Sequence, residues 1–214
     1  VIDAGLVFNF KTNNQLMSSQ TIASLALFGG AFDPVHCGHL QVARAAVARM
    51  EMERVILIPS AQSPLKAHAP LASDADRLAM LQLATAHEPA LAVSSFELEQ
   101  GGTSYSLKTA LHFEQQYPRA ELYWIVGADQ FAQLARWHAI DQLLQVVSFL
   151  VCRRPGYALQ PPALPGLRYQ ILELAESDCS STVIRTRCQV GQSIAELTTQ
   201  QVEAFISARA LYTL

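Results

Sequence analysis

The chain has 214 residues, half of them apolar and 15% charged, with a formal net charge of −3. That length allows one domain, or one domain with a small appendage, and the apolar fraction excludes a disordered chain. The slight acidic excess excludes bulk nucleic-acid binding, which needs a strong basic excess, but it leaves room for a local positive pocket.

Residues 1–16 (VIDAGLVFNFKTNNQL) come before Met17 and read as an upstream extension. Residues 1–20 are therefore expected to be a peripheral N-terminal extension, and residues 21–214 a single domain. The first strand covers residues 24–28 (SLALF), and a helix is expected from Gly38, with Leu40, Ala43, Ala46, Val47 and Met50 on its apolar face. Residues 54–58 (RVILI) form a continuous β-branched run of the kind found in buried parallel strands. A proline-rich loop, a helix over 74–87, a short strand over 91–95 and a helix over 105–116 follow. Residues 121–126 (ELYWIV) are a further buried strand. Short helices over 129–134 and 140–144, a strand over 146–152, a loop over 153–166 and a strand over 168–174 come next. Helices over 180–190 and 199–209 close the chain. This alternation predicts an α/β fold with one doubly wound parallel sheet and right-handed crossovers.

Residues 29–39 (GGAFDPVHCGH) sit where the first strand hands over to a helix. In an open α/β sheet that crevice is where ligands bind, and a helix start offers unpaired N–H groups to an anion. Gly29 and Gly30 permit close backbone approach or simply the turn. His36 and His39 add donors able to meet phosphate oxygens and stabilise developing charge. Phe32 reads as a packing residue, and Asp33 as a turn former through an Asx-type bond before Pro34. A purely structural turn, or a metal held by His36, Cys37 and His39 with a distant partner, are the competing readings. The segment is neither GxGxxG nor GxxxxGK[ST], so neither a dinucleotide fingerprint nor a P-loop is supported.

The late segment at residues 179–185 (CSSTVIR) is a second candidate. Ser180 and Ser181 stand at a helix start, with Arg185 about one turn in. The pattern suits an ordinary cap, or a phosphate cradle of hydroxyls, helix N–H groups and a guanidinium. Cys37, Cys152, Cys179 and Cys188 are dispersed and form no CxxC pair, so reduced thiols and a cytoplasmic location are expected. No apolar run reaches the ~18 residues of a membrane span and no secretory leader is recognised, so no membrane association is expected.

The early and late motifs together resemble the HxGH nucleotidyltransferases. The longer form GGxFDPVHxGH is similar to the nicotinate- and nicotinamide-mononucleotide adenylyltransferases in particular. Ser104-Tyr105-Ser106, Gly127-Ala128-Asp129, Trp137-His138 and Arg153-Arg154-Pro155-Gly156 add to the likeness. The resemblance implies a Rossmann-like nucleotidyltransferase fold and transfer of AMP from ATP to nicotinate mononucleotide, with Mg²⁺ carried mainly on the ATP phosphates. It implies catalytic roles for His36, His39 and Arg185. It implies contacts to ATP from Gly29, Gly30, Phe32, Gly127, Asp129, Ser180 and Ser181. It implies contacts to the mononucleotide from Lys66, Ser104, Tyr105, Ser106 and Trp137, and no metal-binding side chains. Leu65 stands where the family often has a histidine, and Lys66 keeps a cation as a point charge. Transfer to nicotinamide mononucleotide or another phosphorylated acceptor is the alternative; a nucleotide sensor without turnover is a remote one.

Overall fold

The structure, a computed structural model, describes residues 22–64, 68–153, 159–175 and 178–213. The expected N-terminal extension, Leu65, Lys66 and the Arg154-Pro155-Gly156 stretch lie outside those residues.

Six strands form one sheet: β1 (Ser24–Gly30), β2 (Arg54–Pro59), β3 (Leu91–Val93), β4 (Glu121–Gly127), β5 (Val147–Arg153) and β6 (Tyr169–Glu173). Their order is β3-β2-β1-β4-β5-β6 and every pairing is parallel, as the βα alternation predicted. The helices are α1 (Cys37–Met50), α2 (Asp74–Thr85), α3 (Phe96–Gln100), α4 (Ser106–Gln116), α5 (Ala128–Phe131), α6 (Ile140–Val146), α7 (Ser181–Gln189) and α8 (Gln200–Ala208).

Strand side chains alternate between two packed layers, because successive residues of a strand face opposite ways. Ala26, Val55, Leu57, Tyr123, Ile125 and Leu150 face a layer closed by α1, α2, α7 and α8. Leu25, Leu27, Ile56, Ile58, Trp124 and Phe149 face the other, closed by α4, α5 and α6. With both faces covered, the inner strands β1, β2, β4 and β5 are mostly apolar rather than alternating, whereas edge strand β6 buries only Leu172. Three helices begin on hydroxyl caps: Ser73 accepts from Asp76, Ser180 from Val183 and Thr199 from Val202.

Two local expectations change. The helix over 129–134 is in fact the four-residue α5 followed by a 3₁₀ turn, Leu134–Arg136. Helix α3 was not expected; it has five residues and ends at Gly101 and Gly102, both with positive φ.

Candidate active site

The strand order reverses between β1 and β4, and there the chain leaves a crevice at their C-terminal ends. Pairing of β1 with β4 ends at Leu27 and Trp124, so the strand ends that carry Gly30 and Gly127 run beyond the ladder and frame its mouth.

The loop after β1 is held by its carbonyl oxygens. Arg77, fully buried on α2, donates through Nη1 to the Ala31 carbonyl at 2.7 Å. Arg185 Nη1 donates to the Asp33 carbonyl at 2.7 Å, and the Ser181 hydroxyl to that of Pro34 at 2.9 Å. The Thr198 hydroxyl donates to the Val35 carbonyl at 3.0 Å. Two of these four bonds carry a guanidinium, and hydrogen bonds to charged groups contribute about 1.5–3 kcal/mol each. The Asp33–Pro34 peptide is cis. The Asp33 side chain makes no turn of its own. Its buried carboxylate instead accepts from the N–H groups of Leu71 (2.7 Å) and Ala72 (3.0 Å) and from the Tyr212 hydroxyl (2.7 Å). The expected local Asx bond thus gives way to a tertiary junction.

His36 is the N-cap of α1 and is buried; His39 is its third helical residue. Their rings stack with centroids 3.7 Å apart. His39 Nδ1 accepts from the His36 backbone N–H at 3.3 Å. That bond assigns the proton of a neutral His39 ring to Nε2, the nitrogen then able to donate. Phe32, with φ of 47°, turns its ring edge-on to His39 at 4.8 Å and to Phe28 at 5.5 Å. His39 thus caps the turn through Nδ1, which fixes the direction in which its Nε2 points.

The start of α7 meets the start of α1. A Cβ on Gly38 would press on the His36 imidazole at 3.1 Å, asking it to give by a few tenths of an ångström, and would make ordinary contact with the Cys179 carbonyl at 3.5 Å. Two helix N-termini with their partial positive charge thus converge beside the histidines, an arrangement suited to an anion. Ser180 caps α7, while Ser181 and Arg185 brace the β1–α1 loop; Arg185 Nη2 also reaches the Thr182 hydroxyl at 3.2 Å.

At the end of β4, Asp129 folds back so that its Oδ1 lies 2.7 Å from where a Gly127 Cβ would stand. Further along, the Ser104 N–H donates to the Gln62 carbonyl at 2.8 Å and its Oγ accepts from Ala61 N–H at 3.0 Å. These bonds tie the entry of α4 to the loop after β2. Tyr105, the N-cap of α4, is exposed and packs on His138 at 4.4 Å; Ser106 is the first helical residue. Trp137 stands in the packed layer, edge-on to Trp124 at 6.3 Å and to Phe149 at 6.2 Å. Its buried indole N–H has no hydrogen-bond partner among the described residues. The aromatic face beside Ser104–Ser106 that reaches the surface is thus the Tyr105–His138 pair.

Two buried residues, Arg77 and Glu97, and the half-buried Tyr212 were not singled out from sequence. Arg77 carried a signal, a cation on the same helical face as Met80 and Leu81. Tyr212 and Glu97 carried none, since their partners are remote in the chain. Glu97 accepts from the Thr109 hydroxyl at 2.6 Å, and burial pushes its carboxyl above the usual glutamate value, opposed by the Thr109 and Ser104 hydroxyls. All four cysteines are free thiols, and burial pushes Cys152 up to about 12. Among the described residues, no three His, Cys, Asp or Glu side chains gather to hold a metal ion. Asp33, the carboxylate on the β1–α1 loop, already spends both oxygens on protein donors. These residues fit a cation that arrives on a polyphosphate and keeps its waters, rather than one caged by protein. No helix among the described residues is long and apolar enough to cross a membrane.

The model of the cytidylyltransferase-like family matches residues 27–187. Among curated relatives, the probable nicotinate-nucleotide adenylyltransferase of Opitutus terrae is 39% identical over 189 residues, covering 88% of this chain and 97% of its own. The protein of the same name from Methylacidiphilum infernorum is 38% identical over 204 residues, covering 92% and 96%. Among solved structures, the Plasmodium falciparum nicotinic acid mononucleotide adenylyltransferase complexed with NaAD superposes with a TM-score of 0.72 over 89% of this chain and 97% of that one. At 14% identity this last likeness is one of fold.

Proposed function

The chain belongs to the cytidylyltransferase-like family and, within it, to the nicotinate-nucleotide adenylyltransferases, and from that premise we propose how its residues carry the reaction. The enzyme moves the adenylyl group of ATP onto nicotinate mononucleotide, giving nicotinate adenine dinucleotide and pyrophosphate on the route to NAD. The 5′-phosphate of the mononucleotide attacks the α-phosphorus of ATP in line. One P–O bond forms there as the bond to the β-phosphate breaks. A phosphate monoester is already nucleophilic, so positioning and charge stabilisation carry the step without a covalent residue.

His36 and His39 stabilise the charge that develops at the α-phosphate, with His39 Nε2–H as a donor. The Gly29–Phe32 backbone lies along the phosphates. The start of α7, with Ser180, Ser181 and Arg185, receives the β- and γ-phosphates; Arg185 serves the same site by bracing the Asp33 carbonyl. Gly127 and Asp129 line the adenosine side. Ser104, Tyr105, Ser106 and Trp137 form the mononucleotide side, with Lys66 as the cation for its phosphate. Mg²⁺, when bound, neutralises the triphosphate and is held mainly by phosphate oxygens and water. The described residues from 22 onward carry the catalytic domain, and the protein works in the cytoplasm.

The observation that carries this reading is the convergence of the α1 and α7 N-termini on the stacked histidines. The test is pyrophosphate release from ATP with added mononucleotide. Release is expected only when a mononucleotide is present, with kcat/KM higher for nicotinate than for nicotinamide mononucleotide. His39→Ala is expected to lower kcat by at least ~10²-fold with the fold retained, the scale of losing one transition-state donor. An unchanged rate in that variant would remove His39 from the chemistry, and a preference for nicotinamide mononucleotide would overturn the acceptor.

A further inference from the structure

Asp33 stands three residues before His36, and its carboxylate is the point where two distant parts of the chain meet the catalytic loop. Oδ2 accepts from the Leu71 N–H, while Oδ1 accepts from both the Ala72 N–H and the Tyr212 hydroxyl. Two of these donors are backbone groups of one loop. The third is the one side chain among them.

Tyr212 is brought there by the end of α8. The Leu211 N–H donates to the Ile206 carbonyl at 3.0 Å, and Arg209 Nε pairs with Asp76 Oδ1 at 2.8 Å, tying the segment to α2. The same helix α2 supplies Arg77 to the Ala31 carbonyl. Tyr212 itself holds φ at 63°, a left-handed conformation that a bulky residue adopts only when its surroundings impose it. Its ring packs against the α1/α2/α8 layer. Burial and the Asp33 charge push the phenol well above its usual pKa, so the hydroxyl remains a donor throughout the working pH range.

We propose that Tyr212 is a positioning residue for adenylyl transfer, its hydroxyl fixing through Asp33 the loop that carries His36 and His39. This rests on the adenylyltransferase reading above. The hydroxyl touches neither nucleotide in this account. Without it the Asp33 carboxylate keeps only its bonds to the 71–72 loop, and the segment 33–36 loses its side-chain tie to the segment after α8. Donors aimed at the transition state lose alignment, while the mononucleotide side, at the entry of α4 and Trp137, is untouched. The loss therefore falls on kcat and not on KM for the mononucleotide.

The experiment compares wild type with Tyr212→Phe, which keeps the ring and its packing. The wild-type chain must first release pyrophosphate from ATP and nicotinate mononucleotide; if it does not, the functional reading fails and this inference with it. Given that activity, Tyr212→Phe is expected to lower kcat about tenfold, with KM for nicotinate mononucleotide within about twofold. The thermal midpoint is expected to fall by no more than about 10 °C, the shift that loss of one hydrogen bond to a charged group gives in a chain of this size. 3-Fluorotyrosine at position 212, which retains the hydroxyl, is expected to keep kcat within about twofold of wild type. An unchanged kcat in Tyr212→Phe, a rise in mononucleotide KM equal to the loss in kcat/KM, or a kcat lowered equally by the fluorinated side chain overturns the proposal.

Discussion

Glu97 shows how one buried group links stability to the acceptor side of the site. Its carboxyl is buried, bonds Thr109 on α4 and faces the Ser104 hydroxyl, whose oxygen in turn accepts from Ala61. Burial raises its pKa above the ordinary 4.5, so between 4.5 and that raised value the folded state holds more protons than the unfolded one. Stability from this group is therefore fully present below 4.5 and is lost as pH climbs through the folded value. Glu97→Gln removes the titration. In urea unfolding across that window, the difference in stability between variant and wild type is expected to move in the variant's favour as pH rises. A difference that stays constant with pH would mean that Glu97 does not titrate differently on folding. Side chains of this sort were invisible in sequence because their meaning lies in partners twelve or more residues away. His36 and His39 stood out because three residues apart at a helix start is already a spatial statement. Asp33 was legible only as a local turn former, since its actual partners are Leu71, Ala72 and Tyr212.

At the scale of elements, the junctions matter more than the strands. The long strands were legible because a sheet covered on both faces demands unbroken apolar runs, helices α1, α2 and α8 because their apolar residues recur with helical spacing, and α7 from the serines at its start. Helix α3 was not, because five residues give no periodicity to read. The β4–α5 junction shows what a junction contributes. Gly127 closes the strand, and the Asp129 carboxylate lies over the space a side chain would fill. A Cβ 2.7 Å from Asp129 Oδ1 forces a flexible side chain aside without touching the sheet. Gly127→Ala is therefore expected to raise KM for ATP roughly tenfold, about the worth of one hydrogen bond to a charged group, with the midpoint of thermal unfolding nearly unchanged. An unaltered KM for ATP would take Asp129 out of the nucleotide pocket.

At the scale of the molecule, the site depends on a chain order that sequence periodicity could not supply. Alternation predicted a parallel doubly wound sheet, but not that β1 would lie between β2 and β4, and so not which two strand ends would frame the crevice. The late motif was legible as a partner of the early one only through resemblance; the contact itself, Ser181 and Arg185 on the Pro34 and Asp33 carbonyls, follows from α7 packing against the α1 side of the sheet. Among the described residues, both packed layers and the four clamps on the β1–α1 loop are built around one sheet. One sheet shared by both layers makes this a single cooperative unit, since neither layer keeps its apolar face covered without it. A chain begun at Met17 is accordingly expected to unfold in one transition, with a midpoint within about 2 °C of the full chain, a change below roughly 1 kcal/mol at this size. Its kcat/KM for nicotinate mononucleotide is expected to match as well. Calorimetry and steady-state rates on the two chains check this together. A midpoint lowered by about 10 °C or a second transition would mean that residues 1–16 contribute to the core, and a selective loss of kcat/KM would bring them to the site.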